Sequence, residues 1–130
     1  MLTSVVFGAG CFNSSTVPDP ALTKTKTVDS PVTALPSEIV IFVSNTCPHC
    51  AIIESLVKNG RMDKALPIEF KEVDEDDANL RLMVEKAKIC GYDVSRLGVP
   101  LLWNGSRCYD GQDNIQIYLE QLMKLYEKNR

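Results

Sequence analysis

Cys47-Pro48-His49-Cys50 follows the apolar run Ile39-Val40-Ile41-Phe42-Val43 and opens a segment patterned as a helix. A buried strand that ends at a helix N-terminus carrying two thiols one turn apart restricts the fold more than any other stretch of the chain. It also implies chemistry. Backbone N–H groups and the helix dipole stabilise a thiolate on the first Cys, and the second Cys lies close enough to resolve a mixed disulfide. Two other readings of the spacing exist. Half a zinc site needs a second close Cys pair, whereas the remaining candidates, Cys90 and Cys108, are far apart in sequence. A purely structural bond across so short a loop removes little chain entropy and is a poor staple.

At 130 residues the chain has room for one domain with a real core and a tail. A net charge of −3 leaves no basic footprint, so nucleic acid is not an expected partner. No apolar run is long enough to span a bilayer. Five cysteines is an odd number, so at least one lacks an intrachain partner. The division expected is a leader and tether over 1–37 and a folded domain over 38–130. In the first part, Leu2 to Gly10 is a short apolar stretch ending at Cys11, and Phe12 to Ser37 is rich in Ser, Thr and Pro, which suits a disordered tether. Ala9-Gly10-Cys11 resembles the end of a bacterial lipoprotein signal peptide, with Cys11 the lipidated residue, although the basic n-region is missing. That resemblance implies a domain on the periplasmic side of the envelope, touching membrane only through the lipid; the alternative is a cytoplasmic protein with a disordered tail.

From Glu38 the pattern is regular. Glu38–Ser44 predicts a central strand covered on both faces. Pro48 to Asn59 predicts a helix with Ile52, Ile53, Leu56 and Val57 on its apolar face and Gly60 as a stop. A second strand is expected over Ile68–Val73. A helix then starts at Asp76 or Asp77, buries Leu80, Met83, Val84 and Ala87, and closes near Gly91. Leu101–Trp103 and Ser106–Tyr109 predict a hairpin turning on Asn104-Gly105. The last helix is expected from Asp113, as N-cap, to Lys128, with Ile115, Leu119, Leu122 and Tyr126 buried. The order β-α-β-α-β-β-α makes a four-stranded mixed sheet with helices on both faces, a thioredoxin-like α/β architecture.

Three segments in this order resemble the glutaredoxins: the strand followed by Cys47-Pro48-His49-Cys50, then Gly98-Val99-Pro100 before the third strand, then Gly111-Gln112-Asp113-Asn114 opening the last helix. The resemblance spans about Glu38 to Tyr126. It implies a thiol–disulfide oxidoreductase acting as a monomer on protein or low-molecular-weight thiols and disulfides, with no cofactor required and glutathione a candidate co-substrate. It implies that Cys47 attacks, Cys50 resolves, Pro48 takes an early helical position and His49 tunes the thiolate. It also implies that Pro100 is cis and faces the thiols, that the Val99 backbone pairs with substrate, and that Thr46, Gly111, Asp113 and Asn114 contribute to binding. Three positions depart from the family pattern. Ser44 stands where many members carry a Lys for the glutathione carboxylate, Asp110 replaces a Gly, and Ile41 occupies the place of the buried acid of thioredoxins. The first two argue against glutathione as the physiological partner. Pro-His between the thiols resembles the motif of periplasmic thiol oxidases, which places the expected potential in the upper half of roughly −270 to −120 mV. The competing readings are a glutathione-dependent cytosolic reductase and a non-catalytic or iron–sulfur-binding module, the latter disfavoured by Pro48. Cys90 and Cys108 are either a second disulfide, in an oxidising compartment, or free thiols, with Cys90 a small buried apolar residue.

Overall fold

The computed structural model describes residues 32–130; the expected leader, Cys11 and most of the expected tether lie outside the described residues. Strand β1 (Ile39–Val43) is apolar at every position and buried at every position. It sits inside the four-stranded sheet of order β2-β1-β3-β4, as the unbroken hydrophobic run demands. Its side chains alternate between two cores. Ile39, Ile41 and Val43 point to one face and Val40 and Phe42 to the other. β2 (Ile68–Glu72) pairs parallel with β1, and β3 (Leu101–Trp103) pairs antiparallel with it. β4 (Cys108–Asp110) closes the far edge against β3.

Helix α1 (Pro48–Asn59) buries Cys50, Ile53 and Val57, which recur at helical spacing. It shares the first core with a short helix, α2 (Met62–Ala65), and with α4 (Gln112–Lys128), whose buried stripe is Ile115, Tyr118, Leu119 and Leu122. The opposite face is covered by α3 (Asp77–Ile89), through Met83 and Ala87, which pack with Val40, Phe42, Val73, Leu101 and Trp103. A single 3-10 turn (Val94–Arg96) links α3 to β3. The fold is thioredoxin-like α/β.

Several expectations need correction. The hairpin turns on Gly105-Ser106 rather than Asn104-Gly105, because Trp103 pairs with Cys108 and the Asn104 N–H donates to the Arg107 carbonyl (3.0 Å). Gly105 takes φ +96° at the first central position, where a tight hairpin turn uses glycine's freedom. Asn104 instead braces the loop, its Oδ1 accepting from the Ser106 and Arg107 N–H groups. Asp76 caps α3, accepting from Ala78 and Asn79, which settles the choice between Asp76 and Asp77. Asp113 is not an N-cap: α4 begins one residue earlier, and Gly111 holds the cap position with no side-chain bond. α1 stops at Gly60, but the left-handed residue is Arg61 (φ +51°). Ile52 and Leu80, expected inside, are exposed, and Tyr118 rather than Tyr126 completes the α4 stripe. The sheet has one apolar layer per face, so a helix buries only the narrow stripe that meets it.

Candidate active site

The site is assembled where β1 hands the chain to α1. Leaving β1, Ser44 donates its hydroxyl to the Asp74 carboxylate beyond the end of β2. Its Oγ also accepts the Thr46 N–H (3.2 Å), and its carbonyl accepts the Cys47 N–H (3.2 Å). This turn sets Cys47 as N-cap of α1 in an extended conformation (φ −95°, ψ 111°). The Cys47 Sγ accepts the Cys50 backbone N–H at 3.1 Å, so a thiol does here what Ser or Asp commonly does at an N-cap. Pro48 occupies the first helical turn, where its missing N–H leaves no donor unmet.

The two sulfurs have unlike surroundings. Both are free thiols; Cys47 is half-buried and Cys50 has no exposed surface. Burial pushes the Cys50 thiol up to about 12, with the hydrogen bond and charge of Cys47 acting in the same direction and a hydrogen bond with the Ser44 backbone opposing them. Cys50 therefore stays protonated through neutral pH. Opposite Cys47 stands the Val99 carbonyl, 3.7 Å from Sγ and within reach of a thiol proton, and the Val99–Pro100 peptide is cis. The Pro100 carbonyl accepts the Gly111 N–H (3.0 Å), which ties the β3 entry to the start of α4.

Beside the thiols lies a cavity of about 390 Å³. Six residues singled out in the sequence meet on its wall: His49, Val99, Pro100, Gly111, Asp113 and Asn114. Thr46 is not on that wall; it belongs to the Ser44 turn, its Oγ1 3.1 Å from Ser44 Oγ. Asn114 is committed locally, its Nδ2 donating to the Asp110 carbonyl (2.9 Å). Among the described residues the cavity carries two carboxylates, Asp110 and Asp113, and no Lys or Arg. Asp110 is braced from below by the Tyr92 hydroxyl (3.3 Å). Burial, with Asp110 adding to it, pushes that phenol up to about 12.

Sequence reasoning missed Gln112. Its Oε1 lies 2.8 Å from His49 Nδ1, a contact between the first turns of α1 and α4 that no local pattern announces. Cys90 and Cys108 are joined in a disulfide that links the C-cap of α3 to β4, with 6.0 Å between the Cα atoms. Among the described residues, no group of three His, Cys, Asp or Glu side chains is placed to hold a metal ion.

Neither a protein-family model nor a curated protein matches the chain. Among solved structures, the buckwheat glutaredoxin–glutathione complex is similar at 15% identity with a TM-score of 0.49, covering 69% of this chain and 76% of its own. The holo form of glutaredoxin C1 from Populus tremula x tremuloides is similar at 20% identity with a TM-score of 0.49, covering 72% and 78% respectively. Likenesses this distant add nothing to the topology and geometry described above.

Proposed function

We propose that this protein is a thiol–disulfide oxidoreductase working through Cys47 and Cys50. One observation carries the proposal: two free thiols at a helix N-terminus, one accessible and accepting a backbone N–H, the other buried and held protonated. That asymmetry divides the labour. In the reducing direction the Cys47 thiolate attacks a substrate disulfide. A Cys47–substrate bond forms, the substrate S–S bond breaks, and the departing thiolate takes a proton. The Cys50 thiol then loses its proton as it attacks Cys47 Sγ, the second substrate thiolate leaves, and two electrons have moved to the substrate. In the oxidising direction a substrate thiolate attacks Cys47 Sγ of the Cys47–Cys50 disulfide, the Cys47–substrate bond forms, and Cys50 departs and regains its proton. A second substrate thiolate then attacks the substrate sulfur, the substrate S–S bond forms, and Cys47 leaves as a thiolate with the pair reduced by two electrons. The Val99 backbone ahead of Pro100 is the pairing edge for an extended substrate segment. No cofactor takes part.

The cavity supports a reading of the substrate class. The first turn of α4 has no side-chain cap and opens onto it, which suits one carboxylate. The two aspartates and the absence of a cation there oppose a second. Protein disulfides are accordingly the principal substrates and glutathione a lesser co-substrate. The Cys90–Cys108 bond supports an oxidising compartment, and with it the placement of the domain on the envelope through a tether over 1–37 and a lipid on Cys11. Mass spectrometry of the native mature N-terminus tests that placement: a diacylglyceryl group on Cys11 supports it, and an intact Met1 overturns it.

The exchange reaction is tested with insulin and hydroxyethyl disulfide. Cys47→Ser should abolish turnover of both, and Cys50→Ser should accumulate a mixed disulfide on Cys47. Full activity in Cys47→Ser would refute the assignment.

A further inference from the structure

His49 is the only histidine of the chain. It sits in the first turn of α1 with its ring at the cavity, and its Nδ1 lies 2.8 Å from Gln112 Oε1 in the first turn of α4. An amide oxygen only accepts hydrogen bonds. The proton of the neutral ring therefore resides on Nδ1, and the lone pair on Nε2. Free imidazole in a side chain has no such constraint. The ionisable groups around the ring are Asp110 at the end of β4, Asp113 on α4 and, two residues earlier on its own helix, Cys47. Among the described residues none of these groups hydrogen-bonds to the imidazole, so the Gln112 contact sets its orientation.

The geometry points to Gln112 as a positioning residue that holds His49 in its Nδ1–H form, with Nε2 as the proton-accepting atom of the cavity. This rests on the exchange reaction proposed above and adds the route of its proton. When a substrate thiol oxidised by the protein approaches Cys47, Nε2 takes the thiol proton. The resulting thiolate attacks Cys47 Sγ, the Cys47–substrate bond forms as the Cys47–Cys50 bond breaks, and the Cys50 thiolate takes a proton from solvent to become the buried thiol. In the opposite direction the imidazolium returns its Nε2 proton to the departing substrate thiolate. Gln112 Oε1 accepts from Nδ1–H in both charge states, so it keeps the ring in place through the cycle without competing for the proton. It also couples the first turns of two helices that flank the thiols, α1 and α4.

Nitrogen–proton correlation spectra of the single imidazole test the tautomer directly. At alkaline pH the native protein should carry its ring proton on Nδ1, and Gln112→Ala should shift it toward Nε2. A native ring protonated on Nε2, or a Gln112→Ala spectrum identical to the native one, would overturn the inference. Kinetics test the role. His49→Ala should lose the inflection of the rate–pH profile. Gln112→Glu, nearly isosteric, should move that inflection to higher pH by placing a carboxylate on Nδ1–H. Gln112→Ala should slow oxidation of a model thiol by about tenfold, short of the 10²–10⁴-fold typical of a proton-transfer group itself. An inflection unmoved in Gln112→Glu sinks the positioning role while leaving exchange intact. Undiminished turnover in Cys47→Ser sinks the exchange reaction itself, so the two failures are separable.

Discussion

Replacing Cys90 and Cys108 together by Ala should lower the unfolding free energy by about 3 kcal/mol, the loop-closure entropy of a bridge spanning 18 residues. For that span the chain-entropy relation gives roughly 11 cal/mol/K, or ~3 kcal/mol at room temperature. Packing adds little, because both sulfurs are only half-buried and truncating Cys to Ala removes no branched apolar group. The bridge joins the end of α3 to β4, the edge strand that leads through Asp110 and Gly111 into α4. Its loss therefore loosens the sheet edge beneath the cavity and not the Ser44–Cys47 turn. The measurement is urea unfolding in a Cys47→Ser/Cys50→Ser background, which removes the reactive pair from the redox balance. A fall in midpoint on the order of 1–3 M is expected for a domain of this size. The native bridge under strong reductant should approach the double-alanine curve. In the Cys47/Cys50-intact protein, alkylation of Cys47 should proceed at an unchanged rate. A loss below ~1 kcal/mol, or a native curve insensitive to reductant, would refute the entropic account.

Cys50 gives a pH prediction. Its folded value of about 12 lies above the ordinary 9.0, so its contribution to stability is full below about pH 9 and fades as pH rises toward 12. Denaturant midpoints should fall over that alkaline range in the native protein and fall less in Cys50→Ala, and equal slopes would contradict the assignment. Gly111 sits at φ +84°, ψ 157°, with open space where a Cβ would project. Gly111→Ala should thus cost about 1–3 kcal/mol through backbone strain alone, visible as a lower melting temperature, and Gly111→D-Ala made by semisynthesis should not. Asp76→Ala should cost ~1 kcal/mol by leaving two N–H groups of α3 without their side-chain acceptor, and Asp76→Asn should restore most of it in thermal unfolding.

The apolar run at Ile39–Val43, the Cys47-Pro48-His49-Cys50 spacing and the helical stripes of α1 and α4 carry their meaning locally. Each is a repeat of side-chain chemistry at the period of a strand or helix, so element order and sheet architecture follow from the chain itself. What local periodicity does not carry is register and proximity. The pairing of Trp103 with Cys108 moved the hairpin turn by one residue, and backbone bonding to Gly111 took the cap away from Asp113. The burial that separates Cys50 from Cys47 arises from packing with Ile53, Leu102 and Ile115 on three different elements. The Gln112–His49 contact joins residues 63 apart, and the Cys90–Cys108 bridge was one of two open alternatives until α3 and β4 were brought together. Sequence alone singled out Cys47, His49 and Cys50 as the candidates for chemistry, because reactivity begins with residue type and helix position. Tertiary structure decided how they differ from one another, because desolvation and hydrogen bonding depend on atoms that the chain brings near only by folding.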